Sequence, residues 1–196
     1  MPINKYVKDY KLENVTNKKG RVVTKAVYVG NYYGFRQKGE ALKKGKTALT
    51  AATAAGIVFF VTGISFYRNT GFSAQYYTLI PFAACFLPLL YLAIAAYYIL
   101  RTKDDGRVTN ERKNKMRDRV AKSGLGILIL DGLAVAGIAV SGILKAAGTE
   151  TRNFTVNDLV FILSALGLLA AAGFAFSTRE KFVMDTVAGP DGAQDK

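Results

Sequence analysis

Four apolar blocks, each about 20 residues long, constrain this chain more than any other feature. They run over residues 47–67, 78–100, 124–144 and 158–177. At 1.5 Å per helical residue, about 20 residues span the roughly 30 Å hydrocarbon core of a bilayer. Apart from Asp158, which opens the fourth block, the charged residue inside them is Asp131. A soluble helix of that length carries a polar face, and these do not. The expected fold is an all-α membrane protein of four transmembrane helices in two hairpins, with a small antiparallel β element ahead of them. The first block starts too far into the chain to be the core of a cleaved secretory signal.

Basic residues set the expected orientation. Of 27 Lys and Arg, 12 precede the first block, 9 lie between the second and third, and 3 follow the fourth. The other two connections hold 1 and 2. Short basic loops stay on the cytoplasmic side. Both termini and the central loop are therefore expected in the cytoplasm, most simply at the plasma membrane.

Residues 1–36 alternate in character and hold turn signals at Asn17–Gly20 and Gly30-Asn31. That pattern predicts a three-stranded meander. Tyr28, Tyr32, Tyr33 and Phe35 would supply its packing face or a docking surface. A sheet this small needs support from the cytoplasmic loop, lipid or a partner. Residues 37–46 are expected to be a basic linker, residues 47–177 the membrane domain, and residues 178–196 a polar tail. In the second helix Pro81 belongs to the first turn, whereas Pro88 is interior and should kink the helix.

Between the second and third helices, residues 101–122 form a basic helix–loop. Glu111–Lys115 and Asp118–Lys122 are spaced for i,i+4 pairing. No proline separates this segment from the third membrane helix, so one helix of about 35 residues is expected, roughly 50 Å long. Thr155–Asp158 carries a capping pattern for the fourth membrane helix.

Asp131 is the candidate polar site, because an acid within a membrane span is a functional hypothesis in its own right. It lies about 10 Å inside the cytoplasmic end of its helix, level with Thr53 and Tyr91. Three roles fit. A protonated carboxyl can bond to those hydroxyls or to backbone. It can pair with a group in another subunit. It can relay an ion or proton along a route that would need Thr50, Thr62, Ser65, Ser141 or Ser164. Arg112, Lys113, Lys115, Arg117 and Arg119 form a candidate basic face for anionic lipid headgroups or an acidic partner. Gly132–Ala136 and Gly137–Ser141 are small-xxx-small pairs that suit close helix packing.

Histidine is absent and Cys85 is the single cysteine. No intrachain disulfide is possible, and histidine-based catalysis or metal ligation is excluded. No catalytic motif, cofactor motif or base-reading motif stands out. The expected function is non-catalytic. It is that of an accessory or scaffolding subunit bound to another membrane protein or to its own copies, without cofactor or nucleic acid. A small transporter or channel using Asp131 is the alternative.

Overall fold

The computed structural model describes residues 7–16, 21–70, 75–103, 106–148 and 154–187. Strands β1 (Tyr10–Thr16), β2 (Val22–Tyr28) and β3 (Tyr32–Phe35) precede helix α1 (Gly39–Tyr67). Helices α2 (Tyr76–Ala84), α3 (Phe86–Arg101), α4 (Asn110–Ala146) and α5 (Val156–Ser177) follow, then a 3-10 turn and strand β4 (Met184–Val187). With α2 and α3 counted as one interrupted rod, four helices are long and apolar enough to cross a membrane. They run up, down, up, down: α1 packs on α5 and α3, while α4 packs on α5, α2 and α3.

The bundle's exterior supports the membrane reading. Within the most apolar window of each helix, 28% to 39% of residues are buried in the protein. The outer surface carries Val58, Ile80, Leu87, Ile129, Ile143 and Leu163, all more than half exposed. Water would penalise so large an apolar surface, whereas lipid tails do not. Buried aromatic packing holds the interior together. Phe82 meets Phe161 edge-on at 5.0 Å, and Phe161 meets Tyr67 at 5.1 Å.

Three sequence expectations hold closely. α4 is one unbroken helix of 37 residues, carrying the basic segment directly into the apolar one. Thr155 and Asp158 close a reciprocal capping box at the start of α5, with the Thr155 amide donating to Asp158 Oδ2 at 2.6 Å. The second membrane helix is interrupted at Cys85, three residues before Pro88. A proline has no N–H for the carbonyl four residues earlier, here that of Ala84, and the helix resets at that level.

Other expectations need correction. Residues 39–46 are not a linker: α1 begins at Gly39, and its first turns bury Leu42, Gly45 and Lys46 against other segments. Helix α2 begins at Tyr76, so Pro81 falls in its second turn rather than its first. The meander does not form. β1 pairs with β2, but β3 pairs antiparallel with β4 from the far end of the chain, Tyr32 opposite Val187 and Phe35 opposite Met184. Tyr33 also bridges to Val108 ahead of α4, with backbone bonds of 2.8 Å in both directions.

The reason is apolar burial. Phe35, Leu42, Val108, Met116, Phe182 and Met184 extend the bundle's buried core at its basic end. A β2–β3 hairpin would leave that surface open. Tyr28, Tyr32 and Tyr33 are half-buried and Phe35 is 2% exposed, so these rings serve the packing of this region. The β1–β2 hairpin touches the bundle at one end, where the Asn110 amide donates to the Tyr28 hydroxyl at 3.0 Å.

Arg36 and Asp185 clasp the outside of the β3–β4 ribbon through two bonds of 2.8 and 2.9 Å. The guanidinium's hydrogen bond holds the Asp185 carboxyl below the usual carboxylate range. A carboxylate whose pKa is depressed on folding adds stability above its unfolded value and loses it as pH falls through the folded one. We expect the protection of the β4 amides, measured as hydrogen exchange relative to the intrinsic rate at each pH, to fall below about pH 4, near the unperturbed aspartate pKa. Asp185→Asn should remove that pH dependence. Because the pair is solvent-exposed, the effect on overall stability should be small.

Candidate functional site

Asp131 is fully buried. Its position follows from the antiparallel register of α4 against the interrupted helix. Gly126 faces Pro88, where a Cβ would lie 3.3 Å from the proline Cβ. Gly137 faces Thr78, where a Cβ would lie 2.7 Å from the hydroxyl oxygen. Between these points Asp131 falls opposite the break at Cys85 and within electrostatic reach of that thiol. Neither carboxylate oxygen has a hydrogen-bond partner, and the buried Thr78 hydroxyl has none either.

The partners expected from depth alone are elsewhere. Thr53 is buried, but its hydroxyl donates to the Leu49 carbonyl of its own helix at 2.7 Å. Tyr91 is 52% exposed and belongs to the outer groove between α3 and α4. The register also corrects the expected level: Gly126 meets Pro88 and a Gly56 side chain would meet Leu89, so Tyr91 and Thr53 both lie about two turns nearer the basic end than Asp131. Three of the hydroxyls suggested for a route behave like Thr53. Thr50, Ser65 and Ser164 each donate to the carbonyl one turn earlier in the same helix. Such a bond takes the hydroxyl out of play. Ser141 accepts from the Gln75 side-chain amide at 2.8 Å.

What lies beside Asp131 instead is irregular backbone. The Cys85 amide bonds back to Phe82 O at 3.1 Å in 3-10 fashion, and the Cys85 thiol donates to Pro81 O at 3.4 Å. Interrupted helices whose freed carbonyls face a buried acid are a recurring way to hold a proton or small cation inside a membrane. The sequence signal for this pairing was present in Pro88 and Asp131, but the register joining them was not.

The small residues of α4 divide by face. Gly137 and Ser141 turn inward and let α2 approach, with the Tyr77 carbonyl 3.3 Å from where a Gly137 Cβ would sit. Gly132 has open space at its Cβ position, and Ala136 is exposed. At 100° per residue these two align with Leu125, Ile129 and Ile143 on the outer side, opposite Ile127, Asp131 and Ala134.

The five basic candidates also divide. Lys113 lies over the Tyr33 ring at 3.5 Å, on the β3–β4 side. Arg117 is exposed on that same flank. Arg112 stacks over Tyr98 of α3 at 5.8 Å, and Lys115 pairs with Glu111. The expected Asp118–Lys122 pair does not form. Arg119 and Lys122, the latter not among the sequence candidates, make no ion pair among the described residues. Both line a groove of about 460 Å³ between α3 and α4, with Leu87, Pro88 and Tyr91 as the opposite wall. The spacing of Lys115, Arg119 and Lys122 at four and three residues puts them on one helical face.

Among the described residues no cluster of three or more metal-ligating side chains occurs. Compared with known proteins, the chain matches no family model, no curated protein and no solved structure.

Proposed function

We propose that the chain is a non-catalytic, multi-pass membrane protein that acts as an accessory or scaffolding subunit for another membrane protein. In this reading both termini and the basic turns of α4 face the cytoplasm at the plasma membrane. The basic charge there engages anionic lipid or an acidic partner. The carrying observation is the outer face of α4, where Gly132 has open space and Ala136 is exposed between larger apolar residues. The chain's own packing needs are met by the other face, through Gly124, Ile127, Ala134 and Gly137. A flat stripe of small residues lets a second helix approach closely without losing lipid contact elsewhere.

The test is purification of the full chain from its native membrane in mild detergent, beside an Ala136→Trp variant. We expect a defined membrane protein to accompany the wild type in fixed stoichiometry, and the variant to lose it while remaining folded. A monodisperse monomer in both preparations overturns the proposal.

One observation favours a second reading, a small proton or cation carrier. Asp131 is buried without a hydrogen bond beside the break in its neighbouring helix. Its test is flux in proteoliposomes. Solute or proton movement that Asp131→Asn abolishes, with the protein still folded, supports the carrier. Equal flux in both, or none in either, counts against it.

A further inference from the structure

We infer that the groove between α3 and α4 is a binding site for one monoanionic glycerophospholipid. The inference rests on the membrane placement proposed above and is independent of the accessory role. Three features of the groove support it. First, its charge is available: Lys115 is occupied by Glu111, whereas Arg119 and Lys122 are uncommitted, and Asp118 is the acid on the same wall. Two free cations against one carboxylate leave one net positive charge, which matches a single phosphodiester. A guanidinium and an ammonium one turn apart also suit the two non-bridging oxygens of such a group.

Second, the opposite wall is wrong for a soluble anion. Leu87 and Tyr91 are 60% and 52% exposed, and neither covers a surface of this protein. An acyl chain running down α3 from the phosphate would cover both. The Tyr91 ring offers an apolar flank with a hydroxyl at its tip, the chemistry found where tails meet headgroups. Third, the groove has a floor at the right level. Gly126 and Pro88 meet and close it, and Lys122 sits two residues before the apolar stretch that begins at Gly124. The cations therefore lie at headgroup height and the apolar wall extends toward the tails. A volume of about 460 Å³ is within the range of sites that bind small molecules specifically.

Lys113 and Arg117, on the other flank of α4, bear similar charge and do not line this groove, and they provide the control. The full-length protein would be measured by native mass spectrometry in mild detergent, with phosphatidylglycerol and phosphatidylcholine of identical acyl chains added in turn. We expect one phosphatidylglycerol retained at least tenfold over phosphatidylcholine. Arg119→Gln with Lys122→Gln should lose that preference by about tenfold, whereas Lys113→Gln with Arg117→Gln should keep it. Equal loss in both double variants would mean diffuse charge attraction and overturn the site, as would absence of preference in the wild type. Displacement of the lipid by millimolar glycerol phosphate would identify a soluble phosphate ligand and overturn the lipid assignment. Failure of the chain to enter liposomes at all would instead reject the membrane placement, and absence of a protein partner would reject the accessory role alone.

Discussion

Asp131→Ala should raise the stability of this protein. The wild-type carboxyl is fully buried and neither oxygen is hydrogen-bonded. A buried polar group left unsatisfied costs about 1–3 kcal/mol, and alanine removes that cost. Alanine is also the best helix former, so α4 gains slightly in propensity. The lost contacts are few, since the deleted atoms are a single carboxyl group. The net gain should be roughly 1–3 kcal/mol, and for a chain of this size about 2–4 °C of midpoint per kcal/mol. Thermal unfolding in detergent would measure it, with Cys85 as a convenient reporter. Its thiol is fully buried and should react with a maleimide when the bundle opens.

The sign of the result is informative. A stability gain means that Asp131 is a strained group kept for some purpose other than folding, as expected of a site that binds or moves something. A loss of more than about 1 kcal/mol, as seen when one member of a satisfied buried pair is removed, would show that the carboxyl has a stabilising partner in the assembled protein. That outcome would sink the reading of Asp131 as an uncommitted acid. Flux and partner retention measured on the same variant then separate the two functional proposals, because the carrier needs the Asp131 carboxyl, whereas the accessory reading rests on the outer face of α4 and expects the partner to be retained.

How much of this was legible in the sequence depended on range. The four spans, the unbroken α4 and the Thr155–Asp158 cap are local properties. Each is set by residues within a turn or by the absence of proline, and each matched. The first turns of α1 were misread because Lys43, Lys44 and Lys46 make residues 39–46 look like a solvated linker. Leu42 and Leu49 on the same helical face are the signal that they are not. The pairing of β3 with β4 joins residues some 150 positions apart, as the Arg36–Asp185 bond shows. No period-two pattern within residues 1–36 can announce it. Asp131 was identifiable in the sequence as the buried acid, but counting along each helix put Thr53 and Tyr91 at its level, about two turns from where the packing register places them. Which neighbour Asp131 faces depended on the register of α4 against α2 and α3, which Gly126–Pro88 and Gly137–Thr78 set through close approach.

Gly132 and Gly137 make that distinction measurable. In sequence they are equivalent, each opening a small-xxx-small pair five residues apart on one helix. In the fold a Gly137 side chain would meet the Thr78 hydroxyl at 2.7 Å and the Tyr77 carbonyl at 3.3 Å. The first can yield by rotation, but the second is backbone and can yield when α2 moves away from α4. Gly137→Val should therefore destabilise the bundle by about 1–3 kcal/mol, the usual cost of overpacking, with a correspondingly lower unfolding midpoint in detergent. It should also break the Gln75–Ser141 bond one turn farther along, since that bond needs the same close approach. Gly132→Val meets nothing within 4 Å, and replacing glycine within a helix relieves part of its roughly 1 kcal/mol propensity cost. Its isolated stability should be unchanged or slightly higher. In the native membrane the order should reverse, because the Gly132 side chain would project into the proposed partner. Gly137→Val protein that folds should retain that partner, and Gly132→Val should shed it. Equal destabilisation of the purified chain by both substitutions would mean that α4 is rotated from the position described. The inward register of Asp131 would then fall with it.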